Sequence, residues 1–295
     1  MKYCDFETTT HGKWILAGEH AVLRGHPALV FPVNDKHLTL GFKTNTTELS
    51  LNVTGDAQIK LHGLFWDVIK HGFRLLTQSF DELTGYFCLQ NTIPIGVGMG
   101  ASAALCIAVS RWFAAQQMIY TTEIESFAQD LEHLFHGKSS GLDITGVAAT
   151  TGVYFQKKHT SPIKQTWKPK WYLSNCGQVG ITADCIKIVD ALWETDAVHA
   201  ATIDQQMHDS VIQAISALEN NSPQSLSDLA KAINKAACCF QDWGLIHSGL
   251  KQHIQTLRDA GAIAVKPTGS GGGGYVVSLW DREPSNTSIE LISIR

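Results

Sequence analysis

The stretch Pro94-Ile95-Gly96-Val97-Gly98-Met99-Gly100-Ala101-Ser102-Ala103-Ala104 does more than any other to limit what this chain can fold into. Three glycines at alternate positions suit a turn whose backbone passes through positive φ, and the small residues after them suit a helix start packed close to its neighbours. A strand must deliver the chain to such a loop, and a helix must leave it. Glycine N–H groups turned inward, the unpaired N–H groups of the helix's first turn and the positive end of its dipole then make a place for a phosphate group.

Gly96, Gly98 and Ala101 also satisfy the G-x-G-x-x-G/A pattern of dinucleotide-binding folds. That fold needs a second strand ending in an acid roughly 20 residues further on, and Glu123 lies at about that distance. However, residues 112–117 run into Thr121-Thr122-Glu123-Ile124-Glu125, which reads as one helix ending and another starting with a capping box. No second strand is left, and the dinucleotide reading falls behind.

With 23 Lys and Arg against 27 Asp and Glu, the net charge is -4, and no basic run stands out. Neither nucleic acid nor an anionic membrane is an expected partner, so any phosphate must be held locally. Met1-Lys2-Tyr3-Cys4-Asp5-Phe6-Glu7 has no apolar signal region and no stretch is apolar enough to span a bilayer, so the expected location is the cytoplasm. The seven cysteines are scattered and show no C-x-x-C pair, as free thiols in a reducing compartment would be.

Alternation predicts strands over 3–9, 14–17, 37–43 and 48–53, with Asn45-Thr46-Thr47 as the turn between the last two, and a further strand over 86–90 leading to the glycine loop. Helices are expected over 62–80 despite Gly72, then over 101–118, 122–135 and 140–149. A polar stretch over 157–170, with Pro162 and Pro169, reads as a linker. Beyond it come a strand at 171–174, helices over 182–192, 196–218, 225–240 and 248–260, and strands over 262–266, 275–279 and 289–294. The fold class is α+β, with domains over 1–165 and 170–295, the last strand being free to return to the first domain.

Two more segments carry chemistry. One is His11-Gly12-Lys13-Trp14-Ile15-Leu16-Ala17-Gly18-Glu19-His20-Ala21-Val22-Leu23; the other is Lys266-Pro267-Thr268-Gly269-Ser270-Gly271-Gly272-Gly273-Gly274. With the glycine loop between them, they resemble, in order, the three signature motifs of the GHMP small-molecule kinases, and the G-E-H-A-V form resembles the mevalonate kinase branch. Glu132-His133-Leu134-Phe135-His136-Gly137-Lys138-Ser139-Ser140-Gly141-Leu142-Asp143 resembles the segment of that branch with a glutamate four residues before H-G and an aspartate after S-G.

The resemblance implies a two-lobed fold, the first lobe like domain 2 of ribosomal protein S5 and the second ferredoxin-like. It implies ATP-dependent phosphorylation of a small-molecule alcohol, mevalonate to 5-phosphomevalonate in isoprenoid precursor synthesis, with ATP and Mg2+ as cofactors and a homodimer as oligomeric state. Pro94, Gly96, Gly98, Gly100, Ala101, Ser102 and Ala103 would then hold the nucleotide, and Ser102 and Glu132 the magnesium. Asp143 would act as base or orienting group for the substrate hydroxyl, with Lys13 stabilising charge as it develops. Glu19, His20, Gly269, Ser270 and Gly271 would face the substrate. His133 reads as solvent-facing and His136 as a turn residue of the motif.

The chain departs from that pattern at four places. Ala101 replaces the first of two loop serines while Ser102 is retained, Ser139 replaces a proline, and Ile144 an asparagine. Near Gln178 the family's basic residue before a threonine is missing. The first costs little because Ser102 is retained; the other three bear on the acceptor and keep phosphomevalonate, homoserine or a sugar in view as alternatives. A non-catalytic nucleotide-binding sensor is a further alternative, opposed by the intact set Lys13, Ser102, Glu132 and Asp143.

Overall fold

The computed structural model describes residues 4–44, 48–136, 140–157, 159–178, 180–285 and 287–294, with Phe135 and His136 described in backbone only. The expected turn at 45–47 and the motif residues Gly137, Lys138 and Ser139 lie outside this set, as does the side chain of His136.

Strand β1 (Phe6–Ala17) is continuous where alternation predicts two pieces. Its polar middle is accommodated because buried Thr10 donates its hydroxyl to the Ala104 carbonyl at 3.1 Å. Strand β2 (Ala28–Lys43) begins nine residues earlier than its alternating part at His37, because 28–33 is a wholly buried run without a two-residue period.

Strands β3 (Leu49–Gly55) and β4 (Gly85–Asn91) are parallel, joined by helix α1 (Gln58–Leu75). Parallel neighbours need such a crossover. Because β4 also pairs antiparallel with β2, it separates β2 from β3, which are not the hairpin their spacing in sequence suggests. Gly72 is tolerated inside α1 for a packing reason: a Cβ there would lie 2.5 Å from the ring of Phe113. That ring belongs to helix α2 (Ala101–Ala115), whose buried residues cover more than one face. Trp112 and Phe113 of α2 meet Phe42, Phe73 and Phe87 at ring distances of 5.1 to 6.4 Å.

Helix α3 (Ile124–His136) follows a 3-10 turn over Thr121–Glu123. Glu123 reaches back to accept the Tyr120 N–H at 2.9 Å, so the capping box starts at Tyr120, one residue ahead of the segment in which it is expected. Helix α4 (Leu142–Ala148) is short.

The expected linker is partly strand. β5 (Val153–Gln156) and β6 (His159–Pro162) form a hairpin, so only the residues after Pro162 run free of regular structure until β7 (Lys170–Asn175). Four helices follow, α5 (Thr182–Thr195), α6 (Ala197–Glu219), α7 (Ser225–Asp242) and α8 (Ser248–Asp259). Strands β8 (Ala264–Pro267), β9 (Tyr275–Trp280) and β10 (Ile292–Ser293) complete an antiparallel sheet in the order β10-β7-β9-β8. β10 pairs with β7 and thus stays in this sheet. Leu250 and Leu257 of α8 pack on Tyr172, Val265, Val276 and Trp280 of the sheet.

Contacts divide the chain into two compact units that do not follow chain order. The first holds residues up to Lys13, Pro32–Ile95 and Gly100–Ala149; the second holds Trp14–Phe31, Gly96–Met99 and Thr150–Arg295. The chain passes for the last time into the second unit at 149/150, ahead of the boundary near 165–170 that composition suggests. No helix among the described residues is long and apolar enough to cross a membrane.

Candidate functional site

In the first unit, Lys13 on β1 lies 2.8 Å from Asp143 in the first turn of α4. Lys13 is 2% exposed and Asp143 35%, so the ammonium is fixed in the interior while the carboxylate keeps one side accessible. Two glycines make this possible. Gly141, at φ 82°, turns the chain into α4, and Ser140 caps the turn by accepting the Leu142 N–H at 3.2 Å. Gly100, at φ 82°, opens α2, and a Cβ on it would lie 2.8 Å from Lys13 Cγ and 3.0 Å from Val147 Cγ1. The start of α2 therefore presses directly on the lysine stem.

Ala101 and Ala103 are buried beside that contact, and Ser102 between them is half-buried. The first intrahelical bond, Ala104 N–H to the Gly100 carbonyl, leaves the preceding N–H groups directed out of the helix end. Glu132 of α3 is 1% exposed. Burial pushes the Cys106 thiol on α2 well above its usual value, with the charge of Glu132 adding to the effect. A hydroxyl and a carboxylate are hard oxygen donors of the kind Mg2+ takes, one or two from the protein and the rest from phosphates and water. The donor set fits that ion.

In the second unit, the loop residues Gly96–Met99 lie against the last glycine run. A Cβ on Gly274 would lie 2.6 Å from the Val97 carbonyl oxygen, and one on Gly98 3.7 Å from that of Thr268. Gly269, Gly271, Gly272, Gly273 and Gly274 all have φ between 68° and 145°, a region that side chains disfavour. Thr268 anchors this run, its hydroxyl accepting the Ile15 N–H at 2.7 Å and donating to the Ile15 carbonyl at 3.0 Å.

Glu19 and His20 are 2% and 6% exposed. Glu19 is ion-paired with Lys266 of β8, itself wholly buried. The same ammonium lies 3.3 Å from the Ile15 carbonyl and 5.2 Å from the centre of the Phe240 ring. His20 Nε2 donates to the Ser270 carbonyl at 2.7 Å, which requires the Nε2–H tautomer, and the ring packs edge-on against Trp243 at 5.2 Å. Burial pushes its pKa down to about 4, against the raising effect of the Ser270 bond. Gln178 accepts the Gly274 N–H on its backbone carbonyl at 2.7 Å.

The structure thus gathers Lys13, Gly100, Ala101, Ser102, Ala103, Glu132 and Asp143 in the first unit, which also holds Pro94. Gly96, Gly98, Glu19, His20, Gly269, Ser270 and Gly271 belong to the second. His133 is exposed, with its ring 3.9 Å from Asp130. Sequence reasoning missed Lys266 as the partner of Glu19. The signal was available: a lysine inside the apolar strand Ala264-Val265-Lys266-Pro267 must be buried, and a buried ammonium requires a carboxylate.

Residues 64–152 match the GHMP kinases N terminal domain and residues 214–289 the GHMP kinases C terminal domain. Mevalonate kinase of Pyrococcus horikoshii is 24% identical over 301 residues, covering 90% of this chain and 86% of that protein. Mevalonate kinase of Aeropyrum pernix is 24% identical over 303 residues, covering 95% and 90%. Among solved structures, L. major mevalonate kinase in complex with R-mevalonate superposes with a TM-score of 0.79 at 21% identity, covering 94% of this chain and 88% of that one. The chain belongs to the GHMP kinase family. The activity class this defines is ATP-dependent phosphoryl transfer to an alcohol.

Proposed function

We propose that the chain phosphorylates mevalonate to 5-phosphomevalonate with ATP and Mg2+. The observation that carries the reading is the Lys13–Asp143 pair, a buried ammonium 2.8 Å from a partly accessible carboxylate. Phosphoryl transfer to an alcohol needs a group to orient the hydroxyl and accept its proton, and a cation to offset charge as it develops. Asp143 supplies the first through its accessible side, and Lys13 the second. The proton leaves the acceptor hydroxyl for an Asp143 carboxylate oxygen.

Ser102 and Glu132 are the residues that would hold Mg2+, and the N–H groups at the start of α2 would hold phosphate oxygens. The bound metal supplies charge neutralisation on the transferring group. In the second unit, Glu19, His20, Gly269, Ser270 and Gly271 are assigned to acceptor binding. Two relatives named mevalonate kinase, matched over nine-tenths of the chain or more, support that acceptor. The reading takes the protein as cytoplasmic and homodimeric.

A second reading is favoured by Gln178, which stands where the resembled family has a basic residue. It makes the acceptor phosphomevalonate, homoserine or a sugar. The test is ADP release from Mg-ATP with mevalonate, phosphomevalonate, homoserine and galactose, with Asp143→Ala as control. Turnover selective for mevalonate and lost in the variant is expected. Turnover on another member of the panel transfers the assignment to it, and ATP binding without turnover on any of them favours a metabolite sensor.

A further inference from the structure

His20 has φ 57° and ψ −51°, and the Ala21 N–H donates across it to the Glu19 carbonyl at 2.6 Å. These angles and that bond define a γ-turn of the positive-φ kind, rare and strained for a residue with a side chain. Reversing the chain does not require it. Val22 N–H to the Gly18 carbonyl at 3.0 Å and Leu23 N–H to the His20 carbonyl at 3.0 Å already close the segment into its 3-10 turn over Ala21–Arg24. What the γ-turn fixes is the direction of the His20 ring, which meets the Ser270 carbonyl.

Strain of this kind persists only where the surroundings hold it. Here one face of α6 does so with three residues spaced i, i+3 and i+4. Met207 accepts the Gly18 N–H on its sulfur at 3.2 Å, before the turn. His208 Nδ1 lies 3.4 Å from His26 Nδ1, after it. Between these two along the chain, Arg24 meets Asp204, 1% exposed, which takes both Nη2 of Arg24 at 2.7 Å and its Nε in a two-pronged ion pair. The Trp193 ring covers the guanidinium at 5.2 Å. A sulfur acceptor and an imidazole–imidazole contact at 3.4 Å are weak beside a charged fork whose planar geometry fixes direction as well as distance.

We propose that Arg24 and Asp204 are positioning residues, whose ion pair locks the strained turn that aims the His20 ring at the Ser270 carbonyl and so holds the acceptor-binding segment in its working arrangement. This rests on the assignment of His20 to acceptor binding. Neither residue touches the reacting groups, so both act through the backbone of residues 19–21.

The test compares Arg24→Met/Asp204→Leu, which leaves no buried charge unpaired, with Arg24→Lys, which keeps the charge and loses the fork. Mevalonate and ATP are varied separately, heat melts report folding, and 1H–15N spectra of the imidazoles report the His20 tautomer. In the folded double variant, kcat/KM for mevalonate should fall at least about tenfold while KM for ATP stays within about twofold. The Nε2–H signature of His20 should give way to a tautomer mixture, and Arg24→Lys should fall between wild type and the double variant. Unchanged mevalonate kinetics with the Nε2–H signature intact overturns the proposal, as does a loss that affects ATP and mevalonate equally. Where the wild-type protein fails to phosphorylate mevalonate, the substrate reading fails, and the imidazole spectra alone decide whether the ion pair aims His20.

Discussion

Lys13 and Asp143 meet at 2.8 Å from opposite exposures, the ammonium 2% and the carboxylate 35% accessible. An accessible carboxylate backed by a fixed buried cation is arranged for chemistry on its open side. Asp143→Asn retains a hydrogen-bond acceptor for Lys13 and removes the oxygen pair proposed to take the proton. Turnover should fall by about 10²–10⁴-fold, the span typical of general acid–base catalysis. Steady-state ADP release, with a heat melt close to wild type, checks it; a loss below tenfold would remove Asp143 from the proton path.

Gly100→Ala tests how closely the start of α2 must approach the lysine. The new Cβ would lie 2.8 Å from Lys13 Cγ, on a backbone at φ 82° that side chains disfavour. Strain of about 1–2 kcal/mol is expected. The lysine must also shift, so kcat should fall by more than about tenfold, out of proportion to the melting change. Equal kcat in a variant that melts lower would show that the contact serves stability alone.

Much of this site was legible because its signals are local. A glycine run needs only neighbouring residues, so the loop at 96–100 could be marked from its own sequence, whereas Asp143 is marked by the family resemblance of the segment that carries it. Strand β2 shows the converse: its first residues, Ala28 to Val33, are buried throughout, and a strand covered on both faces loses the alternation that would announce it. Placement of β4 between β2 and β3 depends on pairing across more than 30 residues, which no local pattern carries. The partner of Glu19 lies 247 residues away in sequence at Lys266, and that of Arg24 lies 180 away at Asp204. A buried lysine or aspartate announces that it needs a partner, but which residue supplies the opposite charge is decided by the fold.

The buried Glu19–Lys266 pair predicts an asymmetry between single and double substitutions. Lys266→Met leaves a carboxylate without its cation in the interior, which costs about 3–5 kcal/mol, whereas removing both charges is often close to neutral. Glu19→Gln/Lys266→Met should therefore recover most of the stability lost in Lys266→Met. Urea unfolding of the three proteins measures it, and a double variant no more stable than the single one would mean that the pair contributes packing rather than charge balance.

His20 makes stability depend on pH in a defined window. Burial holds its imidazole at about 4 in the folded protein, against 6.5 as its ordinary value, so the unfolded chain binds the proton first. Stability from this group is fully present above pH 6.5 and is lost as the pH falls towards 4, where the folded form also protonates. The difference of 2.5 pH units corresponds to about 3 kcal/mol at most. His20→Gln keeps an amide that can donate to Ser270 and removes the titration. Burial also lowers His26 and His253, and these contribute equally to both proteins, so the informative quantity is the difference between the two stability curves. Denaturant unfolding at steps between pH 7.5 and pH 4 should show the wild-type protein losing stability relative to His20→Gln as the pH falls. Parallel curves across that range would show that His20 is reached by solvent and titrates like an exposed imidazole.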